Sequence, residues 1–80
     1  MQIQVLLFGI IADVIGKASF KLDISENTSV LEFKKALIKS HPALKNYTSF
    51  AIAVNETYAL DNFILNNKDI IAIIPPVSGG

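Results

Sequence analysis

The residues best placed to do chemistry are the last six, Pro75-Pro76-Val77-Ser78-Gly79-Gly80. The two prolines hold φ at about −65° and set an extended, polyproline-like path, and each drives the residue before it extended as well. Two glycines follow, and without a Cβ they present little beyond bare backbone. With Gly80 as the final residue, the expectation is a free α-carboxylate on a stiff, slender stalk that fits a tight tunnel in another protein. On the tail alone, a frayed chain end or an artificial linker explains these residues equally well.

Little else in the chain is arranged for catalysis. His41 is the only histidine; it precedes Pro42 with no serine, cysteine or carboxylate constellation beside it and reads as an exposed helix-end residue. Gly9 and Gly16 have the wrong spacing and order for a dinucleotide fingerprint. Asp61 and Asp69 are explained by turn chemistry more simply than as a carboxylate pair. Ser78 has no base to activate it. There is no cysteine, so a disulfide frame, a thiolate metal site and a cysteine nucleophile are all excluded.

Composition narrows the class further. Eighty residues make one domain, able to bury only about 60–65% of its extended surface. Apolar residues make up 51% of the chain, which is rich for this size. Some of that surface is expected to stay outside the core and mark a partner site. Seven basic residues, all lysine, balance seven acidic ones, so a nucleic-acid binder with a basic face is not expected. No apolar run reaches the length of a membrane span and the start lacks a basic leader, so the expected location is the cytoplasm.

The elements that must carry the tail follow from periodicity. Ile3, Val5 and Leu7 alternate with Gln2, Gln4 and Leu6 as a first strand, ended by Phe8 and Gly9. Residues 10–16 read as an apolar loop with at most a helical turn. Ala18, Phe20, Leu22 and Ile24 alternate with Ser19, Lys21 and Asp23, a strand with one covered face and one wet one. Ser29 and Glu32 form a capping box that opens the one helix expected, ending near Ser40 before Pro42. Val30, Phe33 and Leu37 make its inner stripe, with Leu31 and Ile38 widening it, and Lys34 snorkels from within that arc. Phe50, Ile52 and Val54 set a third strand, and Asn55-Glu56 turns into a short fourth around Thr57-Tyr58. Residues 61–65 are ambiguous and read at most as a single helical turn. Ile70 to Ile74 is a near-continuous apolar run. It suits a strand covered on both faces, or on one face by the domain and on the other by a partner. The whole predicts an α+β domain over residues 1–74, a mixed sheet of four to five strands with one main helix on one face, and an extended tail over residues 75–80. A ferredoxin-like order is the alternative, but it lacks its second helix.

Ala53-Val54-Asn55, Asp61, the run from Asp69 to Ile74 and the closing Pro75-Pro76-Val77-Ser78-Gly79-Gly80 together resemble the small-subunit family of molybdopterin synthase. These are ubiquitin-like, β-grasp sulfur carriers. The resemblance spans essentially the whole chain, and the closing hexapeptide is its most specific part. It favours the tail as a probe, since an artificial linker has no reason to continue an apolar strand as Pro-Pro-Val. The pattern departs at Ala12-Asp13, where the family carries Arg-Glu, and at Lys68-Asp69-Ile70, where it carries Gly-Asp-Glu. A lysine at positive φ is strained, so that turn is expected to differ in shape.

The resemblance implies a chemistry. A ubiquitin-activator-like adenylyltransferase uses ATP to convert the Gly80 carboxylate to an acyl-adenylate, and sulfur then replaces the adenylate to leave a thiocarboxylate. The large synthase subunit, in an expected heterotetramer, takes the tail and moves its sulfur onto a cyclic pterin precursor. Gly79 allows close backbone approach, and Pro75 and Pro76 reduce the entropy lost when the stalk, with Val77 and Ser78, docks. This chain is then a reactant rather than a catalyst, with no bound cofactor or metal. Phe8 and Tyr58 lie off the main stripes and Ile74 abuts the stalk, so these three are candidates for the partner face; membership of the core is an equally weighted reading of them. Two other functions stay open: a protein modifier conjugated through Gly80, and a carrier for thiazole or another sulfur metabolite.

Overall fold

Alternating apolar residues build a five-stranded sheet around two central parallel strands. The computed structural model describes residues 1–47 and 50–75. Strand β1 (Gln2–Leu7) leads into helix α1 (Gly9–Ile15), then β2 (Ser19–Asp23) and helix α2 (Val30–Ser40). A 3-10 helix (Pro42–Tyr47), β3 (Ala51–Val54), β4 (Thr57–Tyr58) and β5 (Ile70–Ile74) complete the order. The strands lie side by side as β2-β1-β5-β3-β4. β1 and β5 are parallel, whereas β1–β2, β3–β5 and β3–β4 are antiparallel. This is the mixed sheet that the alternation predicts. A first strand returning beside the last one is a β-grasp order, not a ferredoxin-like one.

One face of the sheet is the core. Ile3, Val5 and Leu7 of β1, Ile71 and Ile73 of β5, and Ile52 and Val54 of β3 are all buried against Val30, Phe33 and Leu37 of α2. Phe50, Ile11, Leu44 and Leu65 close the ends of this layer. The start of α2 is fully satisfied. The Ser29 hydroxyl accepts from the Glu32 amide and the Glu32 carboxylate accepts from the Ser29 amide, both at 3.1 Å. The amides of Val30 and Leu31 donate to the carbonyls of Phe63 and Asp61. All four orphan donors of the first turn are therefore paired. The Ser29 backbone N–H, and after it the Ser29 hydroxyl, holds the Glu32 carboxyl below the usual carboxylate range.

Two expectations need correction. Residues 10–16 are not a loop: α1 runs over Gly9–Ile15 and ends on Gly16 at φ 82°, whose amide donates to the Ala12 carbonyl. Its β-branched residues are weak helix formers, and burial of Ile11 in the core outweighs that local preference. Hence α2 is not the single helix. Residues 61–65 form a turn rather than a helical turn, because two of the nearby carbonyls are taken by the amides that open α2. Lys34 does reach outward from its stripe, and it meets Asp61 at 3.0 Å across this junction.

Candidate functional site

The tail grows from the middle strand of the sheet. β5 is paired along both edges, to Gln4–Leu7 on one side and Ala51–Val54 on the other. Pro75 is half-buried at its end. A β-carbon on Gly9 would lie 3.1 Å from the Pro75 Cγ, and Gly9 itself sits at φ 53°. The first residue of the stalk thus packs against the opening of α1. Pro76, Val77, Ser78, Gly79 and Gly80 lie outside the described residues.

The turn before β5 fixes where that strand begins. Asp69 is buried, and its carboxylate accepts from the Asn55 side-chain amide at 2.9 Å and from the Asn66 backbone amide at 2.8 Å. The Asn55 side chain in turn accepts from the Ile70 amide at 3.0 Å. The Lys68 amide donates to the Gln2 carbonyl, and the Gln4 amide to the Asp69 carbonyl. One carboxylate and one carboxamide therefore tie the β3–β4 hairpin and the turn to the start of β5, and backbone hydrogen bonds add β1. Lys68 adopts φ 69°, so the turn keeps its left-handed residue without a glycine to fill it. Asp69 does serve a turn, as its position suggested, while Asp61 serves the ion pair to Lys34.

Opposite the core, the register sets out a second apolar surface. Paired residues in a sheet point the same way. Leu6 pairs with Ala72, Ala72 with Ala53 and Ala53 with Tyr58, giving one apolar row across four strands. Beside it Ile74 pairs with Ala51. Phe8 continues the alternation of β1 with extended backbone, φ −130° and ψ 154°. Phe8 and Tyr58 are exposed, at 48% and 72%, and Ile74 is half-buried. None of the three belongs to the core, and all face outward from the sheet, Phe8 and Ile74 at the end where the tail departs. The three alanines form a shallow floor between the larger side chains at its margins.

A family model described as the ThiS family matches residues 5–80. The chain belongs to the ThiS family. Among curated relatives, the "Molybdopterin synthase sulfur carrier subunit" of Caenorhabditis elegans is 36% identical over 83 aligned positions, covering 100% of this chain and 99% of that protein. Among solved structures, SAMP1 from Haloferax volcanii superposes with a TM-score of 0.85 at 27% identity, with both chains covered completely. A chain in the complex of subunits 1 and 2 of molybdopterin-converting factor from Helicobacter pylori matches with a TM-score of 0.70 at 28% identity, again over both full lengths.

Within this ThiS-family fold, the sequence hid half of the outer face. Leu6, Ile70, Ala72, Ala51 and Ala53 share it with Phe8, Tyr58 and Ile74. A signal was present: Leu6 is apolar at a position where the alternation of Gln2 and Gln4 calls for a polar residue. The run Ile70–Ile74 is likewise apolar at outward as well as inward positions. Its inner residues Ile71 and Ile73 are fully buried, whereas Ile70 is 43% exposed. The domain covers one side of β5 and leaves the other available. Among the described residues no cluster of histidine, cysteine, aspartate or glutamate could hold a metal ion, and no helix is long and apolar enough to cross a membrane.

Proposed function

We propose that this chain is the sulfur carrier of molybdenum cofactor biosynthesis, the small subunit of a molybdopterin synthase. The observation that carries this reading is the end-to-end match to curated sulfur carrier subunits, at 36% identity over the whole chain. The β-grasp fold and the strongly anchored β5 support it.

In this reading the chain supplies a reactant and its partners supply the catalysis. A carboxylate is a poor electrophile until it gains a leaving group. An adenylyltransferase joins the Gly80 carboxylate to AMP from ATP and releases pyrophosphate. A sulfide-level nucleophile then displaces AMP, and Gly80 becomes a thiocarboxylate. In the large subunit its sulfur displaces an oxygen leaving group from a carbon of the pterin precursor to give a thioester, and one water hydrolyses that thioester to leave the sulfur on the pterin and return the carboxylate. Gly79 admits catalytic groups close to the reacting carbon. Pro75 and Pro76 restrict the backbone, so the segment through Val77 and Ser78 has less entropy to lose on docking. Phe8, Tyr58 and Ile74 rest on the large subunit, in a heterotetramer. The chain itself binds no cofactor, and the cycle runs in the cytoplasm.

A second reading is favoured by the likeness to a Haloferax volcanii protein called small archaeal modifier protein 1, at 25% identity and a TM-score of 0.83. The same activated Gly80 would then be captured by lysine amines of other proteins. The intact mass of protein taken from its own cells separates the two. A carrier shows a fraction heavier by the difference between one sulfur and one oxygen, and that fraction vanishes when Gly80 is deleted. A ladder of conjugates with no such fraction overturns the carrier reading in favour of the modifier.

A further inference from the structure

Among the described residues the sheet has two free edges, and they are unlike. β4 offers two residues, while β2 offers five, Ser19–Asp23. Short edges resist pairing with another chain and long ones invite it. The hydrogen bonds to β1 show which β2 residues are free to pair. Ile24 exchanges both its backbone bonds with Met1, and the Leu7 amide donates to the Ala18 carbonyl. Alternation along an antiparallel pair then turns the amides and carbonyls of Ala18, Phe20, Leu22 and Ile24 toward β1. Those of Ser19, Lys21 and Asp23 point out from the free edge.

We propose that β2 pairs antiparallel with β2 of a second copy of this chain, about a twofold axis at Leu22. In that register Lys21 of each copy faces Asp23 of the other. Both residues carry the free backbone groups, so each such pair exchanges two hydrogen bonds and sets an ammonium beside a carboxylate. On the helix side of the sheet Phe20 faces Ile24 of the partner copy and Leu22 faces itself. Together with Ala36 and Leu37 they line an apolar groove of about 190 Å3 between β2 and α2. Of the other in-phase registers, the one centred on Lys21 sets lysine against lysine, and the one centred on Phe20 sets Lys21 against Ser19 with no opposite charge. Charge therefore selects one register and makes the edge complementary to itself. Five residues of edge bury far less than the roughly 1,200 Å2 of a standard interface, so the dimer is weak and forms at roughly millimolar protein. It depends on neither the tail nor its chemistry.

The test is sedimentation of the whole chain from micromolar to millimolar concentration, with amide NMR shifts locating the contact. Wild type associates, with shifts concentrated at Lys21 and Asp23. K21D and D23K each replace two attractive pairs by two repulsive ones and weaken association about tenfold or more. An equimolar mixture of these two variants associates again, because each now faces opposite charges. The double variant K21D/D23K restores pairing at unchanged net charge. All four residue changes are on exposed side chains, and circular dichroism confirms that each variant folds. A wild type that stays monomeric at every concentration, single variants that associate as it does, or a mixture that fails to associate would overturn the proposal.

Discussion

The two sides of β5 are made of nearly the same residues and have opposite fates. Ile71 and Ile73 point inward and are completely buried, whereas Ile70 points outward and is 43% exposed. The same contrast runs along β1, where Ile3, Val5 and Leu7 are buried and Leu6 is only half so. One short strand thus encodes two apolar surfaces. The inner one holds the domain together, and the outer one, continuous with the base of the tail, is not covered by the described residues.

That division is broken most sharply by paired substitutions on the one strand. Ile73→Ala should lower unfolding free energy in urea by about 3 kcal/mol, through lost burial and the cavity left behind. Ile70→Ala should cost less than about 1 kcal/mol. Equal losses would mean that the outer side is core after all. Asp69→Ala comes next, at about 1–2 kcal/mol, because it leaves the Asn55 side chain and the Asn66 amide without their acceptor. Its loss should also loosen the start of β5, read as faster amide exchange at Ile70 and Ile71. Lys68→Gly should act the other way and add about 1 kcal/mol, since lysine at φ 69° carries a left-handed strain that glycine does not. The smallest effect lies on the helix side. The Glu32 carboxyl is held low in the folded state, so its contribution is present above the ordinary carboxylate range and fades as pH falls through its depressed value. Glu32→Gln should flatten that acid limb of the stability profile.

Much of the inner surface was legible in the chain because core residues obey a period. The alternation in β1, β2 and β3 and the Ser29–Glu32 box gave strands and α2 nearly to the residue. Helix α1 was not legible. Its local composition argues against a helix, and only the long-range burial of Ile11 decides for one. The outer face was half legible for a related reason. Tyr58 and Phe8 stood out against their stripes, but Ala53, Ala72 and Leu6 become one surface only when the β1–β5–β3 register brings them side by side. The role of Asn55 was likewise invisible, since its partner Asp69 lies across the hairpin and the sheet. The tail is the converse case. Its residue types left two readings open until the resemblance favoured a reactive end, and the fold adds the strand from which it departs.

The most direct test of the whole account is to append one alanine after Gly80 and assay molybdopterin formation with the large subunit, the adenylyltransferase, ATP and a sulfide source. The account predicts an intact fold and no product, because the acyl group to be charged is now blocked. Product formed at the rate of the unmodified chain would contradict it.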